Sequence, residues 1–424
     1  MRTSVKVVAV AAGLALSLTA CGRGTDSGGA DKAKAVSEGK AKGTITVWAM
    51  GTEGEALQKF VKPFEKANPG AHVKVTAVPW DAAHDKISTA ISSGKTPDAS
   101  LIGTTWMGEF AKADGLDPTP KSLFKSDSFF SGTWDSTVVN GTSYGVPWYA
   151  DTRVLYYRTD LAKKAGFSQP PTTWAELSRF GKALKSKAGV KTPVYVQPGQ
   201  TGSWQTMLPF SWSAGAKLTG SGDKSYTLDT PAMRKGLDFY RSLFTDKLST
   251  QVLPDPGVVE SSFAKGTEGS FISGPWEIGL LKDAGLDTSK YAVAPLPGQS
   301  GGNGTSFVGG GDMSVFKSAK NRDGAWKLLQ WLTKPDVQAK WYETVGDLPA
   351  VQGSWQSGTL ANDPKLKVFG QQLEHASSPP ATPTWEQVAA VIDSDVEKVV
   401  KGTMSVADAV KDMQQQASSI GTGL

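Results

Sequence analysis

The stretch TITVWAMGTEGEALQKFVKPFEKANPGAHVKVTA, Thr44 to Ala77, carries two hydrophobic periods in turn. Ile45 and Val47 alternate with polar neighbours, the pattern of a half-buried strand. Leu57, Phe60, Val61 and Phe64 then recur at helical spacing, and Asn68-Pro69-Gly70 stops the helix. Val73, Val75 and Ala77 return to alternation. Further on, Asp81 is placed to N-cap a second helix through Ile87, Ala90 and Ile91, closed by Gly94. Ser100–Gly103 makes a third short strand after Pro97. Strand, helix, strand, helix, strand at these spacings predicts βαβ units, a parallel sheet and an α/β fold.

The same alternation continues outward. Val154–Arg158 reads as a strand, and Thr173-Trp174-Ala175-Glu176 is a capping box that opens a helix. Phe271–Gly274 reads as a strand and Val293–Pro297 as an extended segment. Ala325, Leu328, Leu329 and Leu332 share one helical face, Thr384-Trp385-Glu386-Gln387 is a second capping box, and Ser405 to Asp408 opens a last helix.

The chain has 424 residues, enough for two or three hydrophobic cores. With 39% hydrophobic and 20% charged residues, global disorder is excluded. The formal charge of +5 is spread without a dense basic block, which argues against a nucleic-acid partner. A single cysteine excludes an intrachain disulfide and a cysteine-based zinc site, and three scattered histidines leave little for histidine chemistry or metal binding. No cofactor is expected. Tryptophan, at 14, is the outlying count and suits either large cores or stacking platforms for a ligand.

The N-terminus reads as an address. Arg2 and Lys6 precede an apolar run from Val7 to Leu18, too short to span a membrane and right for a secretory signal. It ends in Leu18-Thr19-Ala20-Cys21, which resembles the lipobox of bacterial lipoproteins. That resemblance implies a signal peptide over 1–20, a lipidated Cys21 and a protein held on the outer face of the cell membrane. Residues 21–42 are rich in glycine and charge and poor in large aliphatics, so they are expected to form a flexible tether.

Several strings then occur in a telling order: Ile45–Trp48, Phe64–Gly70, Gly94–Asp98, Tyr144–Tyr149, Asp151–Asp160, Gly274–Trp276, Gly309–Gly311 and Gly346–Ala350. Together they resemble the carbohydrate-binding lipoproteins of bacterial ABC importers, the solute-binding family that includes maltose-binding protein. The resemblance runs over about residues 43–424. It implies a two-lobed periplasmic-binding-protein-like fold with a ligand cleft between lobes joined by three hinge crossings, near Tyr149–Arg153, Ser306–Gly310 and Leu348–Val351. Lobe 1 is then 43–150 with 309–348, and lobe 2 is 151–308 with 349–424. The implied partners are a mono-, di- or oligosaccharide, an ABC permease and, through it, an ATPase subunit; a monomer is expected.

A sugar has apolar C–H faces and a hydroxyl edge, so its site needs flat aromatics beside polar groups, beyond the carboxyl ends of strands. Glu53 follows the first strand, Thr105 and Trp106 the third, and Tyr149 and Asp151 sit at the first crossing. Trp276 follows the strand at Phe271, Gly311 and Asp312 close the glycine triplet, Trp204 lies in a glycine-rich loop, and Trp385 opens a helix. The resemblance places ligand contacts at these stations, with Trp276 and Trp385 as stacking rings and Asp151 as a hydroxyl acceptor. Each has a structural alternative. Glu53 suits a helix N-terminus electrostatically, Asp151 can instead orient Arg153, and any of the tryptophans can belong to a core. Trp174, Trp326, Trp331 and Trp341 lie in helical stretches and are expected to pack.

Two functional classes remain in view. One is a binding protein that catalyses nothing; the other is a surface glycoside hydrolase, which would need a pair of carboxylates at a set separation. The ordered strings favour the first. No Gly-x-Ser-x-Gly, His-Glu-x-x-His or phosphate-loop motif is present.

Overall fold

A computed structural model describes residues 33–424, so the signal, Cys21 and the first part of the expected tether lie outside the described residues. The strands are β1 (Gly43–Met50), β2 (Ala71–Val78), β3 (Ala99–Gly103), β4 (Val138–Val139), β5 (Thr142–Ser143), β6 (Val146–Thr152) and β7 (Val154–Arg158). They continue with β8 (Ser270–Ser273), β9 (Tyr291–Ala294), β10 (Ser306–Val315), β11 (Leu348–Pro349) and β12 (Ala376–Ser377). Helices fill most of the remaining chain.

The opening βαβ reading holds, since β1 pairs in parallel with both β2 and β3. The complete seven-stranded sheet is mixed: its main path runs β11-β6-β10-β3-β1-β2, with β10 antiparallel to β3 and β6 and β11 antiparallel to β6, while β12 joins β10 in parallel. Four strands far apart in sequence, β6, β10, β11 and β12, therefore complete what the first three begin. A second sheet, β8-β7-β9, is antiparallel throughout.

These sheets organise two lobes. Ile45, Val47, Val73, Leu101 and Val315 pack one core with Trp326 and Trp341, both fully enclosed, as their helical setting predicts. A larger core gathers Leu177, Leu208, Leu237, Ile392 and Met413 on the other side. Trp174 joins it, with Phe239 stacked 4.7 Å away. A small third cluster takes Ala150, Val308, Ala350 and Val351, residues from all three expected crossings, together with Phe129, Phe130 and Leu373.

The crossings have a local cause. β6 runs into β7 with Arg153 alone between them, so one extended run serves both sheets. β10 begins beside β12 and ends beside β3. At Gly310 the backbone takes φ 119°, and a Cβ there would fall 2.2 Å from the Tyr149 carbonyl oxygen. Only glycine admits so close an approach of β10 to β6 at that angle.

Three local expectations change. The helix Trp80–Ser93 starts before Asp81, with Pro79 at its N-cap, so Asp81 lies in the first turn as an acidic partner of the helix dipole. Thr384 caps nothing with its side chain: its hydroxyl donates to the Gly421 carbonyl at 2.6 Å and meets the Tyr226 hydroxyl at 3.1 Å. The expected tether also ends earlier than composition suggests. Arg322 Nη2 donates to the Lys34 carbonyl (2.8 Å), the Ser37 N–H to Asp323 (2.9 Å), and the Ala41 N–H to Asn68 Oδ1 (3.0 Å). Residues 33–42 are thus laid against lobe 1 by hydrogen bonds that composition cannot foretell. By contrast the N-cap of the Thr173 box forms as read, its hydroxyl accepting from the Glu176 N–H at 3.0 Å, while the Glu176 carboxylate reaches one residue further back and accepts from the Thr172 N–H at 2.9 Å.

Candidate functional site

The site grows from the carboxyl end of β1. The chain turns there into the helix Gly51–Phe60, whose first turn holds Glu53 with its side chain mostly covered. Burial pushes the Glu53 carboxyl up, opposed by its own backbone N–H and by the Tyr149 hydroxyl, which donates to it. Tyr149 lies on β6, half-buried, and its phenol is pushed well above its ordinary value, first by burial and then by the Glu53 charge. Gly311 on β10 leaves the space for that ring, since a Cβ there would lie 2.7 Å from Tyr149 Cε1.

Asp347 and Asp151 adjoin this pair. Burial, then the Glu53 charge, raises the Asp347 carboxyl to about 7, although the Trp341 indole N–H donates to it at 2.9 Å. Asp151 is raised by burial and pulled back by Arg153, whose Nη1 donates to both its oxygens at 2.6 and 2.8 Å. The Arg153 guanidinium in turn lies 4.5 Å from the centre of the Trp276 ring. Trp276 follows β8 and is 45% exposed, a large aromatic surface open at the junction of the lobes. Its indole N–H donates to Glu277 Oε1 at 3.1 Å, and the Ser273 hydroxyl donates to the same oxygen at 2.8 Å. Burial raises Glu277 to about 6 against these hydrogen bonds.

On the other flank, Trp80 is 38% exposed and stands edge-on to Trp106 at 5.7 Å. Gly51 joins the flanks: a Cβ on it would lie 3.0 Å from Trp80 and 3.2 Å from Glu53. Thr105 and Trp106, both half-buried, occupy the turn after β3. Direct contacts join Trp106 to Trp80, Tyr149 to Glu53, and Asp151 through Arg153 to Trp276; Gly51 lies beside both Trp80 and Glu53, and Tyr149 and Asp151 are two residues apart on β6. Aromatic faces, a buried acidic group and a paired guanidinium are what a neutral, hydroxyl-rich ligand requires.

Three sequence-derived candidates do not join this group. Trp385 is 0% exposed and Trp204 4%, packed edge-to-face at 5.2 Å inside the lobe 2 core, which corrects the stacking role expected of Trp385 and the ligand contact expected of Trp204. The Trp204 N–H and its loop are held by Asp393, which buries the ring. Asp312 lies inside the first lobe, accepting from the Ser136 hydroxyl at 3.0 Å, and is no open acceptor for a ligand. The pairing of β10 with β6 shifts register between Gly311 and Asp312, which breaks strict alternation of faces there. Conversely, Trp80 and Arg153 belong to this group, with Glu277 bonded to Trp276 and Asp347 close enough to feel the Glu53 and Asp151 charges. The strand-end rule reaches Trp80 directly, because it follows β2 by two residues.

The interior positions yield two tests. Burial pushes Asp312 up to about 8, far above an ordinary carboxyl, so between about pH 4 and pH 8 the folded protein holds a proton that the unfolded chain has lost. Stability then falls as pH rises through that window. Asp312→Asn should flatten this slope, raising Tm by a few degrees at pH 8 and leaving it near wild type at pH 4.5; parallel melting profiles would count against a buried neutral acid. Trp385→Ala should cost about 3–5 kcal/mol in denaturant unfolding, whereas Trp276→Ala, open on one side, should cost much less. Equal losses would move Trp276 into the core.

Comparison with known proteins gives this geometry its setting. Residues 49–339 match the bacterial extracellular solute-binding protein family. A diacetylchitobiose-binding protein of Streptomyces coelicolor is 28% identical over 426 residues, covering 95% of each chain. A maltotriose-binding protein of Pyrococcus abyssi is 25% identical, covering 85% of this chain and 78% of that one. Among solved structures, the sugar-binding protein MalE of Xanthomonas citri superposes with a TM-score of 0.84 at 34% identity, covering 89% of this chain and 97% of its own. The GacH receptor of Streptomyces glaucescens, solved unliganded and with acarbose, gives 0.73 at 25% identity over 90% and 99% of the two chains. With more than half its length matched, this chain belongs to the bacterial extracellular solute-binding protein family.

Proposed function

We propose that this protein captures a di- or oligosaccharide between its lobes and hands it, chemically unchanged, to the membrane permease of an ABC importer whose energy comes from a separate ATPase subunit. The observation that carries the reading is Trp276, a broad exposed ring at the lobe junction beside the Asp151–Arg153 pair. The names of relatives support the ligand class: one binds diacetylchitobiose, another maltotriose, and a structural neighbour was solved with acarbose. We assign 43–150 with 309–348 to one lobe and 151–308 with 349–424 to the other: β1–β3 fall in the first, β7–β9 in the second, β6 and β10 cross between them, and the small cluster around Ala150, Val308 and Ala350 supports a hinge there.

Binding then works by a shift of population. Each sugar ring laid on an aromatic face contributes on the order of 1–2 kcal/mol through buried area, while hydroxyl hydrogen bonds select among ligands. Contacts from both lobes favour the closed state, because only closure satisfies both sides of the ligand at once. We further propose that Cys21 carries lipid, which holds the protein on the extracellular face of the membrane. Two or more acyl chains give a stable anchor where one does not.

Calorimetry against a panel of mono-, di- and trisaccharides should find at least one ligand with saturable binding. Its saturation should shrink the radius of gyration in small-angle scattering and release no monosaccharide. Turnover of the bound sugar would favour a hydrolase instead, and a panel without any binder would sink the reading. For the anchor, Cys21→Ala should move the protein from the membrane fraction to the medium; an unchanged distribution would show that something else holds it.

A further inference from the structure

Arg153 is the single residue between β6 and β7, and its backbone is fixed to the second crossing. Its N–H donates to Ser306 Oγ at 3.2 Å, and the Ser306 hydroxyl donates back to the Arg153 carbonyl at 2.8 Å. The guanidinium is committed on three sides. Nη1 holds both oxygens of Asp151 at 2.6 and 2.8 Å, Nη2 donates to Gln205 Oε1 at 3.0 Å, and the plane lies 4.5 Å from the Trp276 ring centre and 5.5 Å from that of Phe307. Its side chain is only 13% exposed.

The indole beneath it is fixed. Glu277 holds its N–H, and Gly274 lies so close that a Cβ there would fall 2.1 Å from Trp276 Cζ3. A guanidinium on an aromatic face places positive charge against the ring quadrupole. The C–H face of a sugar does the same with weaker partial charges, and it needs the same surface. We propose that Arg153 is a built-in occupant of the Trp276 platform, displaced by the incoming sugar ring, and that it sets which ligands bind. This rests on the sugar-binding reading above.

The indole is held by Glu277 and packed against Gly274, so in this proposal it is the arginine that moves. Asp151 stands two residues away on the same extended run and can keep its bidentate hold, so the displaced cation remains neutralised. What it gives up is the ring and the Gln205 carbonyl. A ligand therefore has to supply two things: an apolar face for Trp276 and an acceptor oxygen for the freed N–H groups. Polyhydroxylated rings supply both. Flat apolar molecules supply the first alone and leave a poorly satisfied cation in a mostly covered place.

The test uses the intact protein and a sugar that binds the wild type. Arg153→Ala removes the occupant, and Arg153→Lys keeps a charge against Asp151 but loses the planar group. Both variants should bind about three- to tenfold more tightly than wild type, the range expected for removing one such cation–ring contact, with faster association in stopped-flow. Without sugar, Arg153→Ala should also increase acrylamide quenching of the Trp276 signal, taken as the difference from the matching Trp276→Phe protein. Should Arg153→Ala fail to fold with Asp151 unpaired, the lysine variant decides alone. Weaker or unchanged affinity in the folded variants would overturn the inference while leaving the sugar-binding reading intact. Failure of the wild type to bind any sugar would overturn both.

Discussion

The hydrogen bonds from Arg153 to both oxygens of Asp151, 2.6 and 2.8 Å long, sit where the chain leaves one sheet for the other. β6 must satisfy its backbone against β10 and β11, β7 against β8 and β9, and the passage between them has one residue in which to turn. A half-buried carboxylate at that point is costly unless a charge answers it. Pairing it with the residue of the turn itself makes the charge balance of the junction independent of the distance between lobes. The second crossing meets the same demand with glycine, since Gly310 lets β10 lie against Tyr149 where any side chain would collide.

Acid is concentrated on one side of this junction. Glu53 and Asp347 are raised chiefly by burial, and Asp347 also feels the Glu53 and Asp151 charges. The Tyr149 hydroxyl and the Trp341 indole N–H are aimed into the group as neutral donors. Such a set of acceptors is matched to hydroxyl donors and poorly matched to a second anion. That agrees with a ligand whose edge is polar and uncharged.

Local chemistry was legible in the sequence and long-range burial was not. The N-cap of the Thr173 box forms because everything it needs lies within one turn. The Thr384 box has the same letters, yet its hydroxyl serves Gly421 and Tyr226, residues brought near only by the fold. Trp276 and Trp385 illustrate the same divide. Both begin helices, but Gly274 leaves the first ring open at the junction, while Trp204 and the lobe 2 core enclose the second. Whether a strand-end residue faces a cleft or an interior depends on its neighbours in three dimensions, and at Asp312 a register shift removes even the alternation that would have hinted at the answer.

The segment from residue 33 to residue 42 has a mechanical meaning. It is fastened along the first lobe by Arg322, Asp323 and Asn68, and then continues into β1, whose Gly43 N–H is bonded to Gly70. A pull on the N-terminus would load these bonds as a row, in shear, and pass into the first lobe through β1. The three crossings lie outside that path. Tension from a leash would therefore be borne by one lobe as a handle, and the other could swing without feeling it.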